Sequence, residues 1–208
     1  MCVRKPRQVV SGVRFALLCF VTVAVPALFC QAQSVPVFTI TPVESTITYY
    51  VKASVKITGT FDKWDSSLTF TSPDVTTGVL DVKIQAASVH SGSKKQDDML
   101  KSKDGFDPEH NPLITFHSTK IVQTGPETFD IPGTFTLRGI SKPETLKLTT
   151  TGHGTGDGTV TGTMAFDRRD YGFNKGSGIP FVKIADRVEV TVELKGKRVS
   201  GPPLVFQK

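Results

Sequence analysis

A chain of 208 residues is long enough for one domain with a true hydrophobic core. Its net charge of +6 does not point to nucleic acid: the first 32 positions hold four of the 25 basic residues and none of the 19 acidic ones, leaving +2 for the remainder. All three cysteines (Cys2, Cys19, Cys30) lie in that same stretch, which excludes a disulfide scaffold or a cysteine-ligated metal site from the rest.

The first element is an export signal. Arg4, Lys5, Arg7 and Arg14 form a basic lead, Phe15 to Cys30 is a nearly unbroken apolar run, and Gln31-Ala32-Gln33 follows. This is the pattern of a secretory signal peptide over residues 1–32, cleaved near Ala32. The run falls short of the ~20 residues that cross a bilayer. Lipidation of Cys30 is the competing reading, and the bulky Phe29 before it argues against it. The expected destination is periplasmic or secreted.

From Val37 onward the sequence alternates between apolar and polar residues, as strands do with one dry and one wet face. In chain order the dry faces are Ile47/Tyr49/Val51, Val55/Ile57/Gly59/Phe61, Leu68/Phe70, Leu80/Val82/Ile84 and Ile114/Phe116. Phe129/Ile131/Gly133/Phe135/Leu137, Leu146/Leu148, Val160/Gly162/Met164/Phe166 and Val188/Val190/Val192/Leu194 complete them. Trp64 to Ser67, Ser72-Pro73-Asp74, Gly125-Pro126-Glu127, Arg138-Gly139 and Gly152 to Gly158 read as turns. Ser91 to Asp107 breaks the alternation and reads as one or two short helices between strands. Residues 35–197 form the β domain, and residues 198–208, with Pro202-Pro203, an irregular tail.

Eight to nine one-faced strands must close or stack to bury their apolar sides. A closed antiparallel barrel, which also removes exposed edges, is expected over a two-sheet sandwich, although period alone leaves both open.

Chemistry is sparse. His90, His110, His117 and His153 are scattered without metal-site spacing, and the acidic insert (Asp97, Asp98, Asp104, Asp107, Glu109) lacks EF-hand spacing. No nucleophile elbow, phosphate loop or dinucleotide fingerprint occurs. The chain is therefore expected to be no enzyme and to need no metal or cofactor.

Several stretches resemble the YceI-like family of exported polyisoprenoid-binding proteins. They are Gly59-Thr60-Phe61 with Trp64 and Leu68-Thr69-Phe70; Asp97, Leu100, Ser102, Phe106 and Asp107 before Asn111 to Phe116 and Ser118; and Gly133 to Pro143 (GTFTLRGISKP) leading to Leu146 and Leu148. Arg169 to Phe173 and Ala185 to Val188 follow, so the resemblance runs from about Val37 to Lys195. Two departures stand out: Gln96 replaces a common arginine, and the segment between Tyr50 and Gly59 is shorter and lacks a frequent histidine.

The resemblance implies an eight-stranded, lipocalin-like β-barrel whose apolar pocket takes an isoprenoid or quinone-like chain, a lipid-binding role without established catalytic residues. On that footing the lining candidates are the inward apolar positions Phe61, Leu68, Phe70, Val82, Phe116, Phe135 and Phe166, with Trp64 and Phe106 covering the mouth. Arg169 is the candidate for a lipid head group, against a structural role in which it pairs with Asp170 or bonds turn backbone. The expected partner is a polyisoprenoid or other long apolar lipid, with transient membrane contact, homodimer formation open and no nucleic acid. The alternative is a stress-related binding or scaffold protein whose barrel is filled by its own side chains and which acts through its loops.

Overall fold

Threonine, valine and phenylalanine suit a pleated surface wetted on one side, and strands that draw on them form most of the regular structure among the described residues. The computed structural model describes residues 34–40, 44–53, 57–152, 157–174 and 184–207. The leader with its cysteines, Val55, His153 and Lys175 lie outside the described residues.

Four strands open the fold: β1 (Val37–Ile40), β2 (Thr46–Ala53), β3 (Ile57–Phe61) and β4 (Trp64–Thr69). β5 (Val79–Gln85), β6 (Val89–His90) and helix α1 (Lys94–Lys101) follow. β7 (Leu113–Ser118), β8 (Val122–Gln123), β9 (Thr128–Leu137), β10 (Ile140–Thr150), β11 (Asp157–Asp167) and β12 (Ile184–Ser200) complete it. One curled sheet joins them in the order β4-β5-β7-β9-β10-β11-β12-β2-β3-β6, with β1 beside β12 and β8 beside β9. All these ladders are antiparallel.

The sheet curls back on itself because β6 continues the chain from β5 yet pairs with β3, Phe61 opposite Val89. At that same end the Asp62 amide donates to the Ser88 carbonyl (3.2 Å) and the Gln85 amide to that of Lys63 (2.9 Å). Register keeps every dry face inside: Val188, Val190 and Val192 of β12 oppose Val51, Tyr49 and Ile47 on one side and Phe166, Met164 and Gly162 on the other. The antiparallel all-β barrel is thus the architecture, with twelve strand segments among the described residues instead of eight or nine.

Two local expectations are corrected. Trp64 to Ser67 is not a turn but most of β4, with Trp64 opposite Ile84 and Leu68 opposite Leu80. The bend falls earlier, at Asp62-Lys63, where the backbone bonds just described hold it. Nor does the last strand end near Gly196: β12 runs to Ser200 because β1 supplies a partner, Ile40 opposite Gly196 and Phe38 opposite Arg198. Beyond it the tail lies across one end of the barrel. Val205 donates to Pro73 (2.9 Å) and accepts from Val75 (3.2 Å), and Phe206 meets Phe129 with ring centroids 5.7 Å apart.

The Arg138-Gly139 turn is a two-residue hairpin with both φ angles positive (52° and 73°), the twist that such hairpins need. The insert contains one helix, α1, none of whose residues is buried.

A candidate lipid-binding interior

The barrel is neither solid nor one open void. Two cavities lie along its axis, one at the α1 end and one at the tail end. The first, about 180 Å³, is lined by side chains such as Val51, Ile57, Phe61, Phe135, Phe166 and Val188. It reaches the surface where α1 meets the following loop, since the exposed Met99 and Asp104 share its wall with the buried Phe106. The second, about 140 Å³, is lined by Trp64, Leu68, Phe70, Val82, Ile131 and Leu146, with Leu204 and Phe206 of the tail across its end. Ile47 belongs to both.

The expected lining residues therefore divide. Phe61, Phe106, Phe135 and Phe166 face the first cavity, and Trp64, Leu68, Phe70 and Val82 the second. Phe116 is buried but lines neither: its ring lies over Gly133, 2.7 Å from where a β-carbon at that residue would stand. Phe106 sits beside the opening of the first cavity. Trp64 does not, because it lies on β4 at the second cavity.

The head-group candidate also moves by one residue. Arg169 is 64% exposed, holds Asp186 at 2.8 Å, and lines neither cavity. Its expected partner Asp170 instead takes Lys142 at 2.8 Å. Arg168 is the arginine in the wall of the first cavity, with its side chain only 12% exposed. Its guanidinium donates to the carbonyls of Phe173 (2.5 Å) and Ala185 (3.2 Å) and meets Asp186 at 3.1 Å. Those partners orient it while leaving a positive charge beside the cavity.

Tyr49 supplies a hydroxyl in the same wall. It is 5% exposed, packs at a tilt against Phe61 with ring centroids 5.7 Å apart, and its hydroxyl has no hydrogen-bond partner among the described residues. Burial, then the nearby charge of Asp97, pushes the phenol up to about 12, so it stays a neutral donor. A buried polar group left unpaired in an apolar chamber is a place where a guest oxygen gains a bond.

The rim is tied down from two sides. Asp97 on α1 accepts the Ser91 amide (2.7 Å) and hydroxyl (2.6 Å), and these bonds hold its carboxyl below the usual range. From the β9–β10 turn, Arg138 donates to the carbonyls of Gly105 (2.6 Å), Asp104 (3.0 Å) and Lys103 (3.1 Å) and caps the Phe173 ring at 5.0 Å. Behind the first cavity, Tyr171 is fully buried between Phe135 and Phe166, and its hydroxyl donates to Glu144 (3.1 Å).

The family model for the YceI-like domain matches residues 38–196. The chain belongs to the YceI-like family. A UPF0312 protein of Pseudomonas savastanoi pv. phaseolicola is 32% identical over 127 residues, 59% of this chain and 66% of the relative, so the match spans just under two thirds of that protein. A UPF0312 protein of Azotobacter vinelandii is 28% identical over 145 residues, 67% of this chain and 73% of the relative. Among solved structures, Burkholderia cenocepacia BcnA superposes with a TM-score of 0.68 at 24% identity, covering 76% of this chain and 99% of that one. A polyisoprenoid binding domain from Saccharophagus degradans, implicated in plant cell wall breakdown, gives 0.63 at 14% identity, covering 78% and 99%. At these identities the structures of this YceI-like chain and its neighbours share the fold.

Tyr49, Arg168, Phe173, Met99 and Leu100 line the first cavity without having been singled out as lining residues from sequence. For Tyr49 a signal existed: it lies on the dry face of a strand and carries a polar tip. For Arg168 the signal was its place two residues beyond Phe166, in step with the dry face of β11, which Arg169 with the same chemistry does not share.

Proposed function

We propose that this YceI-like protein is exported to the periplasm or secreted, and there carries or sequesters a polyisoprenoid, an isoprenoid lipid or quinone-like compound, without performing chemistry on it. The observation that carries this reading is the first cavity: an apolar chamber that reaches solvent at Met99 and Asp104 and has the buried Tyr49 and the half-buried Arg168 among its polar groups. The ligand class named for the Saccharophagus domain supports it.

The chain end of such a ligand enters the dry interior, while a polar end remains near the rim. At ~0.8 kcal/mol per buried CH₂, an isoprene unit of five carbons offers up to ~4 kcal/mol gross. Chain ordering and competition from the bilayer offset much of this. Cavity length and shape then set specificity more than polar readout does. Loading needs only transient contact between the rim and a membrane.

The test is lipid analysis of the native protein. Protein purified from the exported fraction of its host is extracted with organic solvent and examined by mass spectrometry, then offered added prenyl compounds. A co-purifying isoprenoid, or saturable uptake of one, is the expected result. An empty protein that also refuses added prenyl compounds would defeat the proposal, and retention of residues 1–32 in the mature product would defeat its export.

A further inference from the structure

The two cavities lie end to end in one barrel, and the side chains between them form a wall. Along β7, Ile114 lines the first cavity; Phe116, two residues on, lines neither. Phe116 is nevertheless inward and only 6% exposed, with Phe135 of the first cavity opposite it on one side and Val82 of the second on the other. Along β11, Val160 lines the second cavity and Phe166 the first, while Met164 between them lines neither and is 7% exposed. Gly133 makes the wall possible: without a β-carbon there, the Phe116 ring can lie across the strand.

We propose that Phe116 and Met164 form an internal partition that sets the length of isoprenoid chain the barrel accepts, a proposal that rests on the lipid-carrier reading above. A dry cavity of ~150 Å³ takes one benzene, so the first cavity, at about 180 Å³, suits one to two isoprene units. A longer chain has to turn the partition aside before it reaches the second cavity. An unbranched thioether and a ring lying over a glycine are side chains that can turn, methionine above all. Short chains therefore occupy the first cavity alone, and longer ones fill both.

Trp64 makes this measurable, because it is the one tryptophan of the sequence and lines the second cavity but not the first. Prenyl alcohols of increasing length, from one isoprene unit to four, are titrated into the full mature protein by calorimetry and by tryptophan emission in parallel. In the wild type, short alcohols release heat without altering Trp64 emission, and a blue shift begins only once the chain outgrows the first cavity. Phe116→Leu and Met164→Ala each lower that threshold by at least one unit, and two variants are used so that misfolding of one leaves the other to decide. A Trp64 response to the shortest alcohol that binds the wild type, or an unchanged threshold in the folded variants, would overturn the partition. Silence from both readouts with every alcohol would instead reject the carrier reading, and the partition with it.

Discussion

Tyr49 lies folded over Gly59, its register partner on the neighbouring strand, with its hydroxyl closer than any contact distance to where a β-carbon at residue 59 would stand. Gly59→Ala forces a methyl against that ring and against the His90 carbonyl, 2.6 Å away. Overpacking of this kind costs about 1–3 kcal/mol. Thermal unfolding should show a fall of roughly 2–4 °C per kcal/mol in a domain of this size. Tyr49→Phe removes only an unpartnered hydroxyl and should leave the melting temperature unchanged or slightly raised. A large loss in Tyr49→Phe would mean that the hydroxyl is bonded in solution.

Alkaline stability follows from the same side chain. Tyr49 is pushed up to about 12 from 10.0, by burial first and Asp97 second, and Tyr171 is raised as well, by burial and then Glu144. The folded state therefore keeps protons that the unfolded chain gives up near pH 10. The contribution is fully present below about pH 10 and is lost as pH rises toward 12. Urea midpoints across that window should fall, and Tyr49→Phe should make the fall shallower. An equal slope in the variant would contradict the assignment.

Adjacent arginines should differ sharply. Arg168 is nearly buried, with Asp186 and two carbonyls as partners, whereas Arg169 is mostly exposed. Asp186 keeps Arg169 in Arg168→Met, but the Phe173 and Ala185 carbonyls lose their donor in a largely buried place, so the loss should be about 1–3 kcal/mol. Arg169→Met should stay within about 1 kcal/mol. Denaturant unfolding of both variants checks the order, and equal losses would contradict it.

Helix α1 should be the first element to open. It buries no residue, and its attachment runs through Asp97 and the Arg138 bonds to residues 103–105. Hydrogen exchange across residues 91–106 should be faster than in β9 or β12. Asp97→Ala should speed it further and shorten the residence of a bound prenyl alcohol. Because the Ser91 bonds hold the Asp97 carboxyl below its usual range, this tether is present above about pH 4 and is lost as pH falls through the folded value. Unchanged exchange in Asp97→Ala would show that α1 is held elsewhere.

Period-two alternation carried most of the architecture. It identified the inward faces of β9, β11 and β12, where apolar residues mostly oppose apolar ones across the ladders, as Ile131 does Leu146 and Met164 does Val190. It failed where pairing depends on distant partners. Trp64 to Ser67 looks like a turn until Ile84 and Leu80 are seen opposite it, and β12 looks finished at Gly196 until β1 is placed beside it. For the site, alternation separated inside from outside but could not show position along the axis. That is why Trp64 and Phe106 were assigned to one mouth although they line different cavities, and why Phe116 was read as lining although it borders neither.

The tail carries one more consequence. Gln123 and Gln207 clasp each other through reciprocal bonds of 2.7 and 2.9 Å, and Leu204 and Phe206 lie over the base of the second cavity. On the carrier reading proposed above, a chain that slides in past Met99 greasy end first backs out polar end first, so its cargo would be handed over in a single orientation.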